Sequence, residues 1–222
     1  MTGLNEAASA HDLSLSDFLA SADMIIHGST VATNTLVERK GAKVGLITTD
    51  GFRDLLEMRE GLKEDRYNLR MTPVVPLVPR YLRAEVPERV KADGKVKVAL
   101  DEDALNKALD GLKDEGVEAL AVCFLFSYLN SDHEDRVGEI IQDKFPGMYT
   151  SLSSQVIPQI KEFDRLSTTV INSYVGPVLG RYLESLQERL TSYSQAGDFL
   201  IMQSNGGVAP IEDSSRLAVR SI

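Results

Sequence analysis

Thr30, Thr33 and Asn34 follow the turn residues His27, Gly28 and Ser29 within residues 24–36, MIIHGSTVATNTL. Hydroxyls, an amide and an imidazole thus crowd one junction between an apolar run and a helical pattern. A helix start adds unpaired N–H groups and a partial positive charge, so the junction suits a carbonyl, carboxylate or phosphate. The same residues also fit an ordinary N-cap followed by back-bonded threonines. Two further groups carry comparable chemistry. Ser204, Asn205, Gly206 and Gly207 leave an apolar run in a form that lets backbone approach a ligand, or simply makes a turn. Arg39, Arg59 and Arg165 can neutralise a carboxylate or phosphate, or serve as salt-bridge partners, and Asn172 lies in the polar stretch STTVIN.

Other constellations say less. Asp132, His133, Glu134 and Asp135 resemble metal ligands, but consecutive helical residues point apart, and Ser131 with Glu134 has capping-box spacing. No metal site is therefore expected, with His11 and His27 as the only other histidines. Cys123, the single cysteine, lies in the apolar run 119–126 and reads as a small buried hydrophobe. Phosphate-loop, dinucleotide-binding, nucleophile-elbow and zinc-type spacings are absent from the sequence.

The elements that must position these residues follow from periodicity. Residues 1–13 look poorly ordered, and Ser14 caps a short helix ending near Ser21. Residues 23–26 form a strand and 31–40 a helix with Val31, Leu36 and Val37 inward, stopped by Lys40-Gly41. A strand at 44–48 and a helix at 52–59 follow, and this strand–helix alternation predicts parallel pairing. Residues 60–80 are charged and then proline-rich. Pro73, Pro76 and Pro79 exclude regular helix there. The segment is either a solvated connector or a lid or partner surface bearing Arg59, Lys63, Arg66, Tyr67 and Arg70.

Strands at 82–90 and 95–100 flank an Asp93-Gly94 hairpin turn. Asp101 caps a helix with Leu105, Ala108, Leu109 and Leu112 on one face, ended by Gly116. Residues 117–126 read as a central strand buried on both faces. A helix from Ser131 to about Lys144 and a strand at 149–155 come next. A long helical region at 159–191 should be kinked or broken by Gly176-Pro177. The last clear strand is 199–203, with no recognisable closing element after Ala209.

Composition narrows the class. Of 222 residues, 43% are hydrophobic, and 33 acids against 24 bases give a net charge of −9, which disfavours nucleic acid and anionic membranes as partners. No apolar run approaches the ~20 residues of a membrane span and no signal peptide opens the sequence, so a cytoplasmic setting is expected.

The stretches HGSTVATNTLVERKGAKVGLITTDGFRDLLEMRE, PLVPRYL, AVCFLFSYLNSDHEDRV, SLSSQVIPQIKEFDRLSTTVINSYVGPVLGRYL and LIMQSNGGV together resemble the hydantoinase A/oxoprolinase family. The stretch MREGLKEDRYNLRM looks like the acetophenone-carboxylase branch. The resemblance implies an α/β fold, mostly parallel sheet with helices on both faces, one lobe of a sugar-kinase/actin/Hsp70-like ATPase. It implies a domain over 21–198 after a lead-in at 1–20, with 199–222 opening a second lobe. It also implies ATP-dependent activation of a carbonyl, opening cyclic amides such as hydantoin or oxoproline or carboxylating ketones, with a hydantoinase B-like subunit as partner.

On that reading Thr30, Thr33 and Asn34 orient the reacting carbonyl. His27, Ser29, Arg39, Arg59, Arg165 and Asn172 bind substrate, and residues 204–207 contact the cofactor. The family's D-x-G-G-T-x-T-D phosphate loop and its later Gly-Gly loop are not in the sequence. The chain is therefore expected to be a piece of the subunit, to associate into oligomers, and to bind neither ATP nor Mg tightly by itself.

Overall fold

A computed structural model describes residues 2–61, 65, 67–72, 74–193 and 197–222. Lys63, Arg66 and Pro73 lie outside the described residues. In chain order the elements are α1 (Thr2–Ala10), α2 (Leu15–Ala20), β1 (Met24–His27), α3 (Val31–Val37), β2 (Val44–Thr49), α4 (Leu55–Met58), β3 (Arg83–Val86), β4 (Arg89–Val90) and β5 (Val96–Val98). Then come α5 (Glu102–Asp114), β6 (Ala119–Cys123), α6 (Asp132–Lys144), β7 (Tyr149–Leu152), α7 (Ser153–Val156), α8 (Glu162–Thr191), β8 (Asp198–Met202), β9 (Val208–Pro210) and α9 (Ile211–Arg216). The chain forms two compact units, residues 1–39 with 178–222, and residues 40–177.

The larger unit is built on a parallel four-stranded sheet of order β3-β2-β6-β7. Every residue of β2 and β6 is buried, as expected of central strands covered on both faces. Leu105, Leu109 and Leu112 give α5 its buried stripe, and Asp101 accepts from Ala104 N–H at 2.9 Å, the predicted cap. The Asp93-Gly94 turn joins β4 and β5 antiparallel, with Gly94 at φ 77°. The smaller unit carries a three-stranded sheet, β1-β8-β9, in which β1 and β8 run parallel and β8 and β9 form a hairpin.

Several expectations are corrected. Residues 2–10 form α1, whose Ala8 is buried, and His11 stacks on Phe18 of α2 at 5.9 Å. The first two strands do not pair with each other: β1 takes β8, and β2 takes β3 and β6. Helix α3 stops at Val37 because Arg39 adopts the left-handed conformation, φ 54°, before Gly41 is reached. Gly41 serves instead to admit the Tyr174 ring, which a Cβ would strike. Val37 is 77% exposed, and Ala32 and Thr35 face inward.

Residues 52–54 are turn rather than helix, because Glu85 accepts from Gly51 N–H (2.9 Å) and holds the turn open. Pro87 splits the strand predicted over 82–90, having no N–H for a ladder. Strand β7 ends at Leu152, where Ser153 starts a helical turn. Helix α8 is continuous through Pro177. After Ala209 the chain forms α9 and a 3-10 turn, Ala218–Ser221.

Candidate functional site

In the smaller unit, β1 and β8 are in register from Met24↔Asp198 to His27↔Ile201, so both leave the sheet at the same carboxyl edge. Beyond β1 lie Ser29, Thr30, Thr33 and Asn34; beyond β8 lie Ser204, Asn205, Gly206 and Gly207. Parallel pairing therefore brings the two predicted polar groups to one edge, the usual ligand position in open α/β sheets.

Their bonding differs from a helix-end anion site. Thr30 stands at the N-cap of the seven-residue α3 without a side-chain cap bond. Ser29 Oγ accepts from Val31 N–H at 3.2 Å, and Thr35 Oγ1 donates back to the Val31 carbonyl at 2.7 Å. Asn34 is exposed, its Nδ2 3.3 Å from Thr30 Oγ1, so most of its hydrogen-bonding capacity faces outward. Thr33 is half-buried. His27 is half-buried between Tyr182 and Phe199, its Nε2 2.9 Å from the Tyr182 hydroxyl. Burial holds its pKa below the ordinary value. Arg39 is exposed just after α3.

Three of the four N–H groups of residues 204–207 are already bonded within the chain. Ser204 N–H donates to Arg220 O (2.8 Å), Gly206 N–H to Gln203 O (3.0 Å) and Gly207 N–H to Asn205 Oδ1 (2.9 Å). A phosphate cradle needs such N–H groups directed at the ligand. These residues, as placed, do not fit a nucleotide's phosphates, and Gly206 at φ 84° reads as a hairpin glycine.

Arg165, Asn172 and Arg59 belong to the larger unit. Asn172 is fully buried and donates to Ser151 Oγ (2.9 Å) and Tyr149 Oη (3.2 Å), tying α8 to β7. Arg165 is 2% exposed. It donates to Phe124 O (2.7 Å), Gln159 O (3.0 Å) and Ser153 Oγ (3.2 Å), and stacks 5.2 Å from the Tyr128 ring centre. It borders a cavity of about 190 Å³ with Phe126 and Lys161, both at positive φ (58° and 78°). Arg59 is exposed and borders a second cleft within residues 56–74.

Sequence reasoning missed a polar cluster at the carboxyl edge of the four-stranded sheet. Glu134, fully buried, accepts from Phe124 N–H (2.9 Å), Ser154 N–H (2.8 Å) and Ser153 Oγ–H (2.6 Å). The predicted capping box is therefore absent: Ser131 makes no cap bond and its hydroxyl goes to Asp135 at 2.6 Å. Glu134 is needed by the neighbouring loops, which have buried N–H groups to satisfy. Beside it, Glu88 accepts from Thr49 Oγ1, and His133 Nδ1 lies 2.8 Å from its other oxygen. The pairing of Glu88 with His133 spans 45 residues and left no local signal. Burial, followed by the Glu134 charge, pushes the Cys123 thiol up to about 11, consistent with an inert sulfur. Among the described residues no cluster of three or more potential ligands could hold a metal ion.

Residues 2–145 match the hydantoinase/oxoprolinase N-terminal region, and residues 165–222 match hydantoinase/oxoprolinase. The chain belongs to the hydantoinase/oxoprolinase family. Among hydantoinase/oxoprolinase relatives, it is 40% identical over 210 residues to caprolactamase subunit alpha of Pseudomonas jessenii, covering 94% of this chain and 30% of that protein. The acetophenone carboxylase gamma subunit of Aromatoleum aromaticum is 31% identical, with 90% and 29% covered. The 5-oxoprolinase of Saccharomyces cerevisiae is 32% identical, with 82% and 16% covered.

The crystal structure of ATP-dependent caprolactamase from Pseudomonas jessenii superposes with a TM-score of 0.88 at 39% identity, over 95% of this chain and 31% of that one. Nucleotide-free acetone carboxylase gives 0.84 at 26% identity, over 98% and 32%. The chain thus spans less than a third of the length of these relatives. The α/β fold with mostly parallel strands agrees with both structures. Among the described residues, no helix is long and apolar enough to cross a membrane.

Proposed function

We propose that this chain is the amino-terminal part of a subunit that uses ATP to activate a cyclic amide carbonyl for hydrolysis. The observation carrying the reading is the 40% identity with caprolactamase subunit alpha across 94% of the chain. Geometry supports it at the β1/β8 edge, where the exposed Asn34 amide can donate to a carbonyl oxygen and accept from a ring N–H at once. Thr30 holds that amide from behind. ATP supplies the activation in the whole enzyme, with Mg as its counter-ion. Since three of the four N–H groups at 204–207 are spent on the chain's own acceptors, the chain alone should not bind Mg-ATP with a dissociation constant near ~1–10 μM. A hydantoinase B-like protein completes the complex, and the setting is cytoplasmic. The acetophenone and acetone carboxylase likenesses favour a second reading, carboxylation of a ketone.

The test expresses the complete subunit with its B-like partner and measures ADP release. Caprolactam, hydantoin or 5-oxoproline should stimulate it. Stimulation only by a ketone with bicarbonate would replace the hydrolase reading with the carboxylase one.

A further inference from the structure

Within the larger unit, Arg59 stands at φ 53°, ψ −138°, the mirror-image β region that glycine enters freely and side-chain-bearing residues resist. The turn is closed on both sides: Arg59 N–H donates to Leu55 O (2.9 Å) and Gly61 N–H to Met58 O (3.0 Å). Strain of this kind persists where surroundings impose it, and it clusters at ligand sites.

Three neighbouring arginines are committed. Arg80 pairs with Asp54 (2.9 Å), Arg83 with Glu57 (3.2 Å) and Arg53 with Glu85 (3.4 Å). Arg59 has no such partner among the described residues, and it borders a cleft of about 280 Å³. That volume lies just below the usual range of organic-ligand sites, ~300–1,000 Å³, and suits a small molecule. Asn68 and Thr72 border the same cleft. Asn68 Oδ1 already accepts from Arg70 N–H (3.0 Å), which leaves its Nδ2 to donate. Glu57, the acid of the lining among the described residues, is compensated by Arg83. The remaining wall is apolar, and Met58 (68% exposed), Leu69 (96%) and Val74 (54%) stand open to solvent.

We propose that this cleft binds a small organic anion, a carboxylate on Arg59 with its aliphatic body against Met58, Met71 and Val74. Among the described residues the lining offers donors without an uncompensated acid, which selects a carboxylate, and the apolar wall disfavours phosphate-rich molecules. Hydrolysis of a lactam yields a carboxylate of this class, yet the binding itself does not depend on the amide-hydrolase reading.

The experiment titrates the 222-residue chain, labelled at its methionine methyls, with hexanoate and, separately, with its neutral isostere hexanamide. Hexanoate should shift the Met58 and Met71 methyls saturably, and hexanamide should bind at least about tenfold more weakly. Arg59→Gln should lose the same factor. Arg59→Gly should lose it too while melting at a higher temperature, because the backbone strain is gone. Equal binding of hexanoate and hexanamide, equal binding by Arg59→Gln, or no saturable shift up to about 50 mM would overturn the assignment. So would a lower melting temperature for Arg59→Gly. Because no ATP or partner is present, failure here leaves the proposed reaction untouched.

Discussion

At the carboxyl edge of β3-β2-β6-β7, Glu134 accepts three hydrogen bonds and Arg165 donates three, both all but sealed from water. At the carboxyl edge of β1 and β8, Asn34 and residues 204–207 are exposed, bonded only to near neighbours in sequence or to the Arg220 carbonyl. Both edges occupy the ligand position of an open α/β sheet. Their polar groups are nevertheless used differently. Buried groups with complete partners hold loops in place, because each lost partner leaves an unsatisfied group in a low dielectric. Exposed groups cost little to keep and stay available to a substrate. A polar residue at a sheet edge is therefore a functional candidate only once its partners have been counted.

The sharpest way to break this contrast is Glu134→Ala. It strands the buried Phe124 and Ser154 N–H groups and takes the acceptor from the Ser153 hydroxyl, which keeps Ser127 Oγ as a partner, and should cost about 3 kcal/mol of stability. Urea denaturation measures it. A loss below about 1 kcal/mol would show that the cluster is not structural.

Asn34→Ala should do the reverse. Only the 3.3 Å contact with Thr30 is lost, so the melting temperature should hardly move. Turnover in the complete enzyme should fall about 100-fold, the scale of one positioned donor. An unchanged rate with earlier melting would make Asn34 a helix-start residue and erase the distinction between the edges.

Gly176→Ala probes the buried side more gently. A Cβ there would strike the Tyr149 ring, which sits where α8 meets β7. Overpacking of this kind costs about 1–3 kcal/mol. The expected denaturation midpoint lies between those of the wild type and Glu134→Ala.

The smallest effect belongs to His27. Burial lowers its folded pKa from 6.5, so the unfolded chain binds the extra proton first. Its contribution to stability is complete above the unfolded pKa, declines as pH falls through 6.5 toward the folded value, and levels off below it. His27→Asn should flatten that slope in thermal melts between about pH 7 and 5. An identical slope would place the titration elsewhere.

Local pattern alone determined much of this protein. Buried β6 was legible as an unbroken apolar run, the Asp101 cap from an acid before an amphipathic stripe, and the β4–β5 turn from Asp93-Gly94. Each is set within a few residues by side-chain period or turn conformation. The family too was legible, because its motifs lie along the chain. Tertiary structure alone decided the rest. Pairing of β1 with β8 joins residues more than 170 apart, and only that pairing puts Asn34 and the 204–207 turn at one edge. Glu134 looks like a capping-box acid until the buried N–H groups of Phe124 and Ser154 are known. Arg165 and Arg59 are indistinguishable as letters: one is enclosed by carbonyls and an aromatic face, the other has no side-chain partner among the described residues and borders an open cleft. Burial and partner count are properties of the folded environment, and no local period encodes them.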